Sequence, residues 1–108
     1  MTQVFIAASA DADVGAIMDD LNIQAGPLVV AKYLALFRQL YERLRVHPDK
    51  GPPRRRLGAE IRIGIVLPYI VIYRYAVAAD TVIILRVVHG RRRISGRMLS
   101  GNVSPTRA

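Results

Sequence analysis

Cysteine and tryptophan are both absent from this 108-residue sequence, and histidine occurs only as His47 and His89. Without thiols there can be no disulfide framework and no thiolate metal site, which suits a reducing cytoplasm. Two histidines without cysteine make a poor structural zinc site, so neither metal nor cofactor is expected. A glycine-rich phosphate loop, an HExxH pair and a serine with a nearby His/Asp constellation are all lacking. The longest apolar stretch, residues 63–72, is about half a bilayer span, and Arg74 follows it, so no membrane segment is expected. The opening MTQVFIAASA has no basic region and too short an apolar run for a secretory signal.

Lysine is also scarce, and the positive charge is carried by arginine. The formal net charge is +8, unevenly spread. Asp11, Asp13, Asp19 and Asp20 give the first twenty residues four acids and no base. Between Arg54 and Arg97 ten arginines face only Glu60 and Asp80. A surface polarised in this way favours an acidic partner, either nucleic acid or an acidic protein segment. Hydrophobic residues make up 52% of the chain, too many for disorder. The length suits one domain, placed at residues 1–100 with a frayed tail at 101–108.

Residues 4–8 read as a short strand. Ser9 or Asp11 can cap a following helix, and Val14, Ile17, Met18 and Leu21 form one helical face. Gly26-Pro27 ends this helix and opens a second over residues 27–46, with Val30, Tyr33, Leu34, Phe37, Tyr41 and Leu44 as its buried stripe. His47-Pro48 stops it. Residues 49–58 form a Pro- and Arg-rich loop. Strands are expected at 61–67, 69–76 and 81–89, the last two joined by a turn at 77–80. The fold class is α+β, an N-terminal strand and an antiparallel helix hairpin packed on an antiparallel β-sheet. The last two strands are apolar on both faces. One face should take the helices and the other should meet solvent or a partner.

The second of these strands ends in His89-Gly90 and then Arg91, Arg92 and Arg93, with Arg97 close behind. Guanidinium groups at a strand exit suit bidentate docking to carboxylate or phosphate; a solvated tail is the plainer reading. Arg54, Arg55 and Arg56 look like an ordinary solvated loop. Arg74 and Arg86 sit inside apolar strands, where a charge needs a partner: Asp80, Glu60, a backbone carbonyl or another molecule. His89 could act as a general acid or base, or simply orient the turn after it. Tyr69, Tyr73 and Tyr75 could stack bases, or serve as ordinary strand residues.

The layout of residues 68–94, PYIVIYRYAVAADTVIILRVVHGRRRI, resembles the C-terminal hairpin of the RelE/ParE toxin superfamily of type II toxin–antitoxin systems, and is most similar to its ParE-like branch. The carrying residues are the turn His47-Pro48-Asp49-Lys50-Gly51-Pro52, the pair Tyr73-Arg74, and the run Ile84-Leu85-Arg86-Val87-Val88-His89-Gly90-Arg91-Arg92. The sequence departs from the family at Ser9-Ala10, where Ser-Pro is usual, and in its three consecutive arginines.

That resemblance implies a toxin neutralised by a cognate antitoxin through an acidic C-terminal segment. ParE-like members bind and poison DNA gyrase; RelE-like members cleave messenger RNA on the ribosome. The strand arginine of the RelE-like enzymes falls on Ile70 and their C-terminal tyrosine on Met98, while Arg92 keeps a basic group. The resemblance therefore favours a gyrase inhibitor without catalysis. Its target contacts would be Arg86, His89, Arg91, Arg92, Arg93 and Arg97, and its antitoxin contacts Tyr69, Tyr73, Arg74, Ile84 and Arg86. Under the nuclease alternative the catalytic groups would be His89, Arg92 and Arg86. A third alternative is a non-toxic module that binds only an antitoxin-like partner or nucleic acid.

Overall fold

In the computed structural model, which describes residues 1–92, 94, 99 and 106–107, strand β1 (Gln3–Ile6) leads into helix α1 (Ala8–Ala25). The chain reverses at Gly26 into helix α2 (Pro27–Val46). Gly26 has φ 86°, a backbone that side chains with a Cβ rarely adopt, and its N–H closes α1 on the Leu21 and Asn22 carbonyls. Pro27 then begins α2 where a missing N–H costs nothing.

Three strands follow, β2 (Ile61–Val66), β3 (Tyr69–Ala76) and β4 (Thr81–His89), with a last pair of residues, β5 (Thr106–Arg107). The sheet order is β2-β3-β4-β1-β5. The α+β class stands, but the sheet is mixed: β1 runs parallel to β4, Val4 opposite Val82 and Ile6 opposite Ile84. The helix hairpin supplies the crossover that a parallel pairing requires. Thr106 and Arg107 lie in the stretch read as a frayed tail and pair antiparallel with β1; the rest of 101–108 lies outside the described residues.

One face of the sheet packs on the helices. Phe37, Leu40, Tyr41 and Leu44 of α2 and Ala10 and Met18 of α1 join Val4, Val71, Tyr73, Val82, Ile84 and Val87. The α2 stripe differs from the expected one at two positions: Leu34 is 39% exposed, and Leu40, one turn and a half on, is buried.

The opposite face is not open. Ile61, Ile63, Ile72, Leu85 and Val88 are buried there, with Leu57, Ile94 and Leu99 packed over them. Leu57 of the loop after α2, with Ile94 and Leu99 beyond β4, supplies this cover, so the expectation of a solvent- or partner-facing second face is corrected. The loop is tied down by polar bonds: the Tyr73 hydroxyl donates to the Pro48 carbonyl at 2.9 Å and accepts from the Gly51 N–H at 3.0 Å. Arg62 adds bonds to the Asp49 and Gly51 carbonyls at 2.9 and 2.8 Å.

Candidate interaction site at the end of β4

Strand β1 accompanies β4 only as far as Ile84. Beyond that point the edge of β4 would be bare, and the start of α1 covers it. The Ala7 N–H donates to the Ile84 carbonyl at 2.8 Å, and the Ser9 hydroxyl donates to the Leu85 carbonyl at 2.7 Å. Asp13 accepts the Val87 N–H at 2.9 Å. Ser9 therefore caps a strand edge and not its own helix, whose N-cap Ala7 has no side-chain cap. The register of β3 and β4 also shifts here, Ile72 facing Arg86 and Tyr73 facing Ile84, so Leu85 is the extra residue of a bulge.

Asp13 also holds Arg86. Its two oxygens accept Arg86 Nε at 2.7 Å and Nη2 at 3.0 Å, a bidentate pair with both side chains more than four-fifths buried. The hydrogen bond to Asp13 raises the Arg86 pKa, although burial opposes it. The partner of Arg86 is therefore neither Asp80 nor Glu60. Asp80, at φ 45° in the β3–β4 turn, accepts instead from the hydroxyls of Thr2 and Tyr75.

Past this point His89 at the end of β4, and Arg92 just beyond it, line a groove of about 570 Å³ between α1 and the β3–β4 pair, with Gly90 and Arg91 in the turn between them. Asp13, Asp20 and Gln24 form the α1 wall, Tyr33 and Tyr69 the floor, and His89 and Arg92 the far wall. Tyr69 is the hub of an aromatic cluster, with ring centroids 5.7 Å from Tyr33, 5.9 Å from Phe37 and 5.8 Å from His89. Burial pushes the Tyr69 phenol up, with Tyr33 and the negative Asp20 adding to it. The turn after His89 is fixed locally. His89 Nδ1 accepts the Arg91 N–H at 3.1 Å, and the His89 carbonyl accepts the Arg92 N–H at 2.9 Å. In that arrangement the neutral imidazole carries its proton on Nε2. Both guanidinium groups are left exposed on a rigid stem.

The structure thus sets His89 and Arg92 on the groove, with the exposed Arg91 in the turn that joins them. Arg93 and Arg97 lie outside the described residues, as does Met98. Arg86 is committed to Asp13. Among the residues expected to meet an antitoxin, Tyr73 and Ile84 are 0% exposed, so their side chains belong to the core and not to a docking surface. Tyr69 and Arg74 are partly exposed, and Arg74 makes no ion pair among the described residues. Ile70 packs with the second core cluster. The acids of the groove, Asp13 and Asp20, were legible in the sequence only as part of the acidic start of the chain. Nothing in the local pattern joins Asp13 to a strand residue 73 positions away.

The model of a protein family, the ParE toxin of type II toxin–antitoxin system parDE, matches residues 4–94, from β1 through the basic run after β4. The chain belongs to the ParE toxin family. Its fold is also that of a chain in the toxin–antitoxin complex RelBE2 from Mycobacterium tuberculosis, with 26% identity and a TM-score of 0.59. That match covers 82% of this chain and 96% of the other. No curated protein sequence matches. This ParE-family chain is accordingly a toxin of the RelE/ParE superfamily, and a cognate antitoxin is its partner by family. No helix among the described residues is long and apolar enough to cross a membrane.

Proposed function

We propose that this toxin stops growth by binding DNA gyrase through the rim formed by His89, Arg91 and Arg92, and not by cutting messenger RNA. The supporting observation is the state of the three groups a nuclease could use. Arg86 is neutralised by Asp13, and His89 and Arg92 share their groove with Asp13 and Asp20. With the Asp13 charge spent on Arg86, a scissile phosphate placed between His89 and Arg92 would still face the Asp20 carboxylate, where the chemistry needs uncompensated positive charge. A binding rim has no such requirement. Exposed guanidinium groups on a fixed turn can pair with carboxylates of a protein target whatever lies on the opposite wall.

The experiment is induced expression in bacteria, with the DNA-damage response and transcript integrity followed in the same cultures. Gyrase poisoning predicts a damage response with intact transcripts. Cleaved transcripts without a damage response would replace this reading with the ribosome-dependent nuclease, and growth unaffected by expression would leave only a partner-binding module. Replacing Arg91 and Arg92 by alanine should abolish growth arrest while the folded fraction stays unchanged.

A further inference from the structure

Strand β2 is the outermost strand on one side of the sheet. The chain closes only the first half of its outer edge. The Arg54 N–H donates to the Ile61 carbonyl at 2.8 Å, the Ile63 N–H donates to the Pro52 carbonyl at 3.1 Å, and Pro53 bridges to Arg62. Backbone groups of alternate residues point to the same edge, so the N–H and carbonyl of Ile65 face outward as the Ile63 N–H does. Among the described residues nothing meets them. Ile65 and Leu67 are 47% and 79% exposed beside this edge. An unpaired edge with apolar side chains is a template for another strand, and native proteins seldom leave one unguarded.

A groove of about 320 Å³ runs between this edge and α2, and its apolar lining includes Leu40, Leu44 and Ile65. The charged residues that line it are Arg43 and Lys50, both exposed. We propose that the neutralising partner of this toxin docks here, adding an extended segment of alternating apolar and acidic residues as a further strand beside Ile65. The inference rests on the toxin–antitoxin reading and specifies the surface and the chemistry of the partner. An added strand presents alternate side chains to opposite faces. One set meets Arg43 and Lys50 and is acidic; the other lies over Ile65 and Leu67 and is apolar. A second copy of this chain fits poorly, because two molecules of net charge +8 repel and each would bring the same cations to the contact.

The test titrates the purified full chain with a blocked synthetic peptide of alternating Glu and Val, with the alternating Lys and Val peptide as control, while amide exchange is followed by NMR. The Glu peptide should saturate and slow exchange of the Ile65 N–H at least tenfold, and the Lys peptide should do neither. Ile65→Pro, which removes the outward N–H, should weaken binding at least tenfold. The pair Arg43→Glu with Lys50→Glu should do the same, and carries the test if the proline variant fails to fold. Equal binding by folded variants, protection at another strand edge, or no saturation at millimolar peptide would overturn the proposal. Growth arrest by the unaltered chain is scored separately. Arrest without peptide binding sinks the docking surface alone, whereas binding at Ile65 without arrest supports the surface and sinks the toxin reading.

Discussion

The Asp13 carboxylate grips the Arg86 guanidinium through both oxygens and also takes the Val87 N–H, fastening the first turns of α1 to the bulged end of β4. One side chain thereby closes a strand edge and cancels a cation that the sequence alone leaves free for a target. Asp13→Ala should cost about 2 to 4 kcal/mol, since it removes the carboxylate that holds a largely buried guanidinium and a backbone donor. Chemical denaturation measures it. A double-mutant cycle with Arg86→Met should show coupling well above that of an exposed pair. Additive effects would mean the two side chains do not act together.

Tyr73 and Gly51 anchor the loop that covers the far face. Tyr73→Phe removes a donor to Pro48 and an acceptor for Gly51, and should cost about 1 to 3 kcal/mol. Amide exchange of Gly51 and Ile63 should rise in that variant. A Cβ at Gly51 would fall on the Ile63 carbonyl oxygen and the Tyr73 hydroxyl, so Gly51→Ala should destabilise by at least about 1 to 3 kcal/mol through forced displacement of backbone. A Gly51→Ala protein as stable as the parent would show that the loop does not cross the strand edge this closely.

The pattern of apolar residues revealed the helix hairpin and the three long strands, because periods of 3.6 and 2 survive without knowledge of neighbours. The partners of those strands were not legible. Nothing local says that β1 lies parallel to β4, or that Leu57, Ile94 and Leu99 fold back over Ile72 and Val88. The rim was partly legible: the run from His89 to Arg92 follows directly from a strand. Arg86 looked equally available, because its canceller lies 73 residues earlier. Tyr73 read as a partner-facing aromatic, whereas its hydroxyl works inside the molecule, holding a loop.

Tyr41 gives a pH signature. Its hydroxyl is buried without a hydrogen-bond partner among the described residues, and burial, with Asp11 nearby, pushes its pKa up from 10.0 to about 12. The neutral phenol is thus favoured in the folded state. Its contribution is complete below pH 10, the unfolded value, and is lost as pH rises from 10 towards 12. Ultraviolet titration should find one tyrosine that ionises near pH 12 in the folded protein and disappears in Tyr41→Phe. At neutral pH the same substitution should leave stability unchanged or slightly higher, since it removes an unsatisfied polar atom.

The rim itself predicts a charge-dependent interaction. Arg92→Lys keeps the charge but loses the planar fork, and should weaken target binding by about tenfold at a bidentate contact. Raising salt from 0.05 to about 0.5 M should weaken binding of the parent more than that of Arg91→Ala, because the screening length falls below the spacing of exposed charges.

The most direct measurement is plasmid supercoiling by purified gyrase in the presence of the purified toxin, run beside ribosome-programmed messenger RNA treated with the same protein. Inhibited supercoiling or trapped DNA breaks, with intact RNA, is the expected result, lost when Arg91 and Arg92 are replaced by alanine. Unimpaired supercoiling with cleaved RNA would contradict the account.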